Sequence, residues 1–218
     1  ARADTTPILV TANGSPRHVE GSPTGAYWGR RILSSSLGAN GIVDYNSIQY
    51  SDTAEFLGYS QPRGFLSVTP TLSLFRVARI SALFDYRGGF RQYNASEDFR
   101  CGIVRCRGII DPTASLQEQT NATAVAIDGV YAGYIEPADF VRLREASLTL
   151  SLPERLVQRW ARGRSASLTF AGTNLGLWTS YSGVDPEVNS NAQSNFTQSD
   201  FLTQAPLRRW AVRFNLGF

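Results

Sequence analysis

The chain of 218 residues is 18% charged, below the roughly 25% usual in soluble globular domains. Its hydrophobic residues make up 42%, yet they never gather into the run of about 18 that a transmembrane helix requires, so any contact with a bilayer falls to strands. The net charge is only +3 and every basic residue is Arg, and nothing clusters into a nucleic-acid patch, so no nucleic-acid partner is expected.

In chain order, residues 1–25 read as irregular to weakly extended, with short strand candidates at Pro7-Ile8-Leu9-Val10 and Arg17-His18-Val19-Glu20. Gly21, Pro23 and Gly25 break the pattern before a short segment opens at Ala26-Tyr27-Trp28. Residues 34–63 read as loop, with a turn signal at Asn40-Gly41. A hairpin follows over 64–75 and 77–87. Leu66, Val68, Pro70, Leu72 and Leu74 alternate with Ser and Thr, and Ala78, Ile80, Ala82, Phe84 and Tyr86 repeat the alternation after a turn near Phe75-Arg76. Each run is about 10 to 12 residues, close to what a tilted strand needs to cross a bilayer. Pro70 counts against an unbroken ladder, because it has no N–H to donate.

A long excursion then occupies residues 89–138. It contains Cys101 and Cys106, whose short spacing predicts a disulfide ring. Ser115-Leu-Gln-Glu118 has the form of a capping box and predicts a short helix over 116–127. Strands are expected at 140–152 and 165–178, joined by a helical turn over Glu154 to Ala161. A second long polar loop spans 181–206, and a strand over 207–218 closes the chain. In that strand Trp210, Val212, Phe214, Leu216 and Phe218 take every second position, so one face is wholly apolar. Short and long connections alternate along the chain, as in outer-membrane barrels. Alternation of face and alternation of loop length are independent signals that agree. They point to an all-β fold, an antiparallel transmembrane β-barrel segment with long extracellular loops carrying a short helix.

Phe140-Val-Arg-Leu-Arg-Glu-Ala-Ser-Leu-Thr-Leu150 with Leu152-Pro153, and above all Ala171-Gly-Thr-Asn-Leu-Gly-Leu-Trp-Thr-Ser-Tyr-Ser-Gly-Val-Asp-Pro-Glu-Val188, resemble the late barrel strands of SusC/RagA-like TonB-dependent outer-membrane transporters. Gly21 to Gly29, the Asn40-Gly41 loop and Leu57-Gly58 to Pro62 resemble the segment before those strands. The family's Asp- and Gly-rich loop is reduced here to Gly38-Ala-Asn-Gly-Ile-Val-Asp44, so no ion is expected there. The resemblance implies the carboxy-terminal part of the barrel, about seven strands of a barrel of about 22. It implies uptake of oligosaccharides or peptides across the bacterial outer membrane. The implied partners are a SusD-like surface lipoprotein, TonB through a plug domain, the remainder of the barrel and outer-membrane lipid. With no Met and no signal-peptide pattern, the chain is expected to be a processed product or a piece of a longer one.

The sequence suggests no catalytic constellation, no metal site and no cofactor; His18 is the sole imidazole. Tyr27, Trp28, Trp178 and Tyr181 are candidates for a substrate-stacking platform, with an interfacial aromatic girdle as the plainer reading. Trp210, Val212, Phe214, Leu216 and Phe218 are expected to face lipid. Asp185 and Glu187 are expected to shape their loop. Asn94-Ala-Ser, Asn121-Ala-Thr and Asn195-Phe-Thr match the glycosylation acceptor pattern, by chance in a bacterial surface loop. Two rival readings remain: a secreted β-sandwich carbohydrate-binding module, and a hydrolase on a small barrel, which would need a Ser/His pair.

Overall fold

The computed structural model describes residue 19 and residues 21–22, 25–75, 77–190 and 198–218. The strand candidate at 7–10, His18, Arg76 and Asn195 lie outside them. The chain opens with β1 (Tyr27–Gly29), β2 (Ile32–Ser34), β3 (Gln49–Tyr50) and β4 (Glu55–Gly58). β5 (Gly64–Val68), β6 (Thr71–Leu74) and β7 (Ala78–Gly88) follow. Then come β8 (Arg91–Tyr93), α1 (Ala95–Gly102), α2 (Arg107–Ile110), α3 (Leu116–Asp128) and β9 (Ile135–Pro137). β10 (Phe140–Leu152), α4 (Glu154–Ala161), β11 (Ser165–Thr179) and β12 (Arg209–Gly217) end the chain.

These elements form two compact units. The sheet unit comprises Gly64–Gly88, Phe140–Thr179 and Pro206–Phe218. The loop unit comprises the described parts of Ala1–Arg63, Gly89–Asp139 and Ser180–Ala205.

The sheet unit is one antiparallel sheet in the order β12-β11-β10-β7-β5, with β6 also paired to β7. Six strands take part, where the sequence suggested about seven, and the sheet is open rather than a closed barrel among the described residues. The strand expected over 64–75 is divided at Pro70. Lacking an N–H, Pro70 leaves a gap between β5 and β6, while its carbonyl still accepts from the Ala82 N–H at 3.1 Å. Val77 N–H closes the following turn on the Leu74 carbonyl, with Phe75 in the left-handed region at φ 49°. β5 begins, β7 ends, β10 begins and β11 ends at one end of the sheet, where Gly64 pairs with Gly88 and Phe140 with both Arg87 and Thr179. The segments of the loop unit therefore all leave the strands at that end. The short connections, including α4, lie at the other.

Directly paired residues share a face of a sheet. Leu66, Tyr86, Val141 and Trp178 form one row, and Leu148, Ile80, Leu72, Phe170 and Val212 form another. On β10 the apolar positions are 141 and 143 at first, then 146, 148, 150 and 152. That change of parity would turn the second half of the strand inside out. A register shift between Leu143 and Glu145 restores it, giving β10 one residue more than β7 and one fewer than β11 across the same stretch.

In the loop unit, three two-stranded ladders pair β1 with β4, β2 with β3 and β8 with β9. α3 begins where the capping box predicted, with the Ser115 hydroxyl accepting from the Glu118 N–H at 3.2 Å. It ends at Gly129, in the left-handed region at φ 64°, which glycine adopts at the least steric cost. α2 packs closely on α3 through Gly108, where a Cβ would stand 2.4 Å from the Glu118 carbonyl oxygen. The core gathers Cys101, Cys106, Ala122 and Tyr134, with Tyr93, Ile109 and Val125 against them. Cys101 and Cys106 are joined as a disulfide.

Candidate functional site

Across the sheet unit the two faces differ sharply. On the apolar face Trp210 is 74% exposed, Val212 66% and Phe214 61%, and Phe218 beyond the strand end is 81% exposed. Leu216 is partly covered. Exposed Leu66, Leu72, Ile80, Phe170 and Trp178 continue this surface across the other strands. Apolar patches of such extent mark a contact with an apolar medium or partner.

The opposite face is polar and has two zones. Toward the short-connection end it is lined by small hydroxyls: Thr71 and Ser81 approach at 3.2 Å, Thr149 and Thr169 at 3.0 Å, and Asn215 donates to Ser167 at 3.4 Å. Toward the other end lies a charged belt. Asp85, largely buried, accepts from the Ser67 hydroxyl at 2.8 Å and from Nε and Nη2 of Arg144 at 2.8 and 2.5 Å. Arg87 Nε stands 3.7 Å from the same carboxylate. Phe140 and Phe65 carry arginines over their rings: Arg142 at 5.5 Å and Arg87 at 6.0 Å from Phe140, and Arg87 at 5.9 Å from Phe65. Arg142 is itself buried. Fixed guanidinium groups on a polar wall can orient anionic or hydroxyl-bearing solutes, and they need no catalytic group to do so.

Of the four aromatic candidates for a stacking platform, Trp178 belongs to the sheet unit and Tyr27, Trp28 and Tyr181 to the loop unit. Trp178 lies exposed on the apolar face of β11. Tyr27 is 0% exposed and Tyr181 is buried, so neither ring offers a face to solvent. Trp28 packs edge-on against Phe56, with ring centroids 5.8 Å apart. The Tyr27 hydroxyl donates to the Gln198 carbonyl, and burial pushes its pKa up. Burial, then the charge of Asp200, does the same for Tyr181. These tyrosines are structural posts of the loop unit, because a phenol closed off from water and aimed at an acceptor keeps its proton.

Much of the loop unit is held by buried polar groups that sequence patterning gave no means of pairing. Asp200, fully buried, accepts from Ser96 Oγ at 2.9 Å, Tyr181 OH at 2.9 Å and the Val184 N–H at 3.1 Å. Asp185 Oδ1 accepts from the Glu187 N–H at 2.9 Å, and the buried Gln92 donates to the Val188 carbonyl at 2.8 Å. Asp185 thus shapes the loop its motif occupies.

Asn94 is buried and caps α1, accepting from the Glu97 N–H at 3.1 Å while its amide donates to Ser182 at 2.9 Å. It is closed to glycosylation. The Asn-x-x-Glu spacing of Asn94 and Glu97 was the available sign of α1, a helix the sequence reading missed. Glu97 lies beside Cys101 and Cys106, but their sulfurs are bonded to each other and offer no thiolate to a metal.

No protein-family model matches the chain, and no curated protein matches it. Solved structures do. The chain is similar to one in the RagAB peptide importer in the 'open-open' state, with 18% identity and a TM-score of 0.63 over 100% of this chain and 25% of that one. It is similar to one in the 'closed-closed' state of the same importer, with 19% identity and a TM-score of 0.61 over 97% and 25%. In a further structure of the RagAB peptide transporter the values are 17%, 0.62, 95% and 24%. The chain spans about a quarter of the length of these solved chains. At such identity the likeness establishes the fold alone.

Proposed function

We propose that this chain is the carboxy-terminal barrel segment of a SusC/RagA-like, TonB-dependent importer of the bacterial outer membrane. The observation that carries this is the sheet unit's division into a continuous apolar face and a hydroxyl-lined, arginine-bearing face, on strands of crossing length. The apolar face meets lipid through Trp210, Val212, Phe214, Leu216 and Phe218, and the polar face lines the lumen. The loop unit, fed from one end of the strands, forms extracellular loops, and the short connections face the periplasm. The open edges of the sheet are met by the remainder of a barrel of about 22 strands. The likeness to a peptide importer supports cargo of oligosaccharide or peptide size, a SusD-like lipoprotein as partner, and energy from TonB through a plug domain.

A β-sandwich carbohydrate-binding module would bury the apolar face under a second sheet, whereas the side chains of that face are exposed. Cell fractionation tests the proposal. The protein should remain in outer-membrane sheets after carbonate washing, and cells lacking it should lose uptake of labelled oligosaccharide or peptide. Recovery in the soluble periplasm without detergent would overturn it.

A further inference from the structure

Between β10 and β11 the chain makes a helix where a tight turn would suffice. In α4 and the residues after it, Val157 and Gly163 are buried, while Arg155, Leu156, Arg159, Arg162 and Arg164 are exposed. The seat of α4 is set by Gly163. A Cβ there would lie 2.8 Å from the Gly217 carbonyl oxygen, 3.2 Å from Leu216 Cδ1 and 3.4 Å from Val157 Cγ1. The Arg164 N–H donates to the same Gly217 carbonyl at 2.7 Å. Val157 is thereby held near Leu216, the last apolar-face residue of β12. α4 is continuous with the border of the apolar surface.

Arg155 and Arg159 are four residues apart and share a helix face. Arg162 and Arg164 extend the basic stretch beyond the helix end, where Arg162 takes a left-handed φ of 52°. Among the described residues none of the four guanidinium groups has a carboxylate partner, and Glu154 accepts instead from Gln158 at 2.8 Å. At the same end of the sheet Phe75 stands 93% exposed on its left-handed turn, and Phe218 is exposed as well.

We infer that α4 is an interfacial helix that binds the anionic headgroups of phospholipids in the leaflet at the short-connection end. The inference rests on the barrel reading above. Four uncompensated arginines stand where an apolar sheet face ends, which is the depth of lipid phosphates, and guanidinium forks match phosphate oxygens bidentately. Leu156 is placed to enter the acyl boundary beside them.

The test uses the detergent-purified protein reconstituted into nanodiscs of phosphatidylcholine with or without phosphatidylglycerol, with fluorescent phosphatidylglycerol as the probe. The wild type should enrich the anionic lipid, and each single Arg→Gln change among the four should weaken enrichment about fivefold at low salt. The combined R155Q/R159Q/R162Q/R164Q variant should abolish it. The corresponding Arg→Lys variant, which keeps the charge and loses the bidentate fork, should fall between the wild type and the quadruple Gln variant, and Arg100→Gln in the loop unit should change nothing. A wild type that inserts normally without preferring phosphatidylglycerol, or a quadruple Gln variant that keeps the preference, overturns the inference and leaves the barrel reading intact. A wild type that enters no bilayer at all overturns both.

Discussion

The sheet unit and the loop unit put their apolar side chains in opposite places. In the sheet unit Trp210, Val212 and Phe214 look outward, and the charges of Asp85, Arg142 and Arg144 lie on the other face. In the loop unit Tyr27, Cys101, Cys106 and Ala122 are inside, and exposed arginines such as Arg31 and Arg107 pair with carboxylates at its surface. On the interior strands of the sheet unit the backbone ladder pairs the polar backbone groups, and that suits a medium without water. The loop unit, with short strands and short helices, draws on buried side-chain hydrogen bonds and a disulfide. One chain therefore carries two folding solutions, each matched to the solvent it is proposed to meet.

Substitutions in each unit should fail in ways that separate these solutions. The largest effect is expected at Asp85. Asp85→Ala removes the buried acceptor that Ser67 and Arg144 share. It should cost about 4 kcal/mol, read as a lower urea midpoint of the protein in detergent. Phe214→Arg places a charge on the apolar face. It should cost about 3 kcal/mol in bilayer or micelle, yet almost nothing if that face met water. Equal folding yields for wild type and Phe214→Arg in lipid would break the comparison between the units.

Within the loop unit, Cys101→Ser opens a ring of sequence separation 5 and should cost about 2 kcal/mol, seen as faster hydrogen exchange in α1 and α2. The β7 and β10 amides, which belong to the sheet unit, should keep their protection. Ser115→Ala removes the cap of α3 and should cost about 1 kcal/mol, confined to exchange in its first turn.

The smallest effect concerns pH. Burial holds the Asp98 carboxyl above the usual aspartate range, against a pull downward from the Tyr93 hydroxyl that donates to it. The folded state therefore binds this proton more tightly than the unfolded state does. Its contribution is fully present below the unfolded pKa and is lost as pH rises through the folded one. Asp98→Asn should flatten that decline in loop-unit protection, leaving the sheet unit unchanged.

The sequence by itself determined the long strands, α3 and α4. β10 alternates strictly from Glu145 to Leu152 and β11 from Ser165 to Phe170, and period-two patterning is visible wherever one face is apolar and the other polar. The Ser115–Glu118 cap and the Pro153 and Gly163 flanks of α4 are local signals as well. Only the tertiary structure decided the rest. Val141 and Leu143 change parity against Ala146 and Leu148, and the shift that reconciles them appears only when β7 and β11 lie alongside. Asp200 and Asn94 find their partners across 104 and 88 residues of sequence. Tyr27 and Tyr181 are buried, which the sequence does not show because a side chain's type carries no record of what will cover it. Pattern along the chain reports the solvent on each side of a strand, whereas pairing across distant segments depends on where the backbone returns.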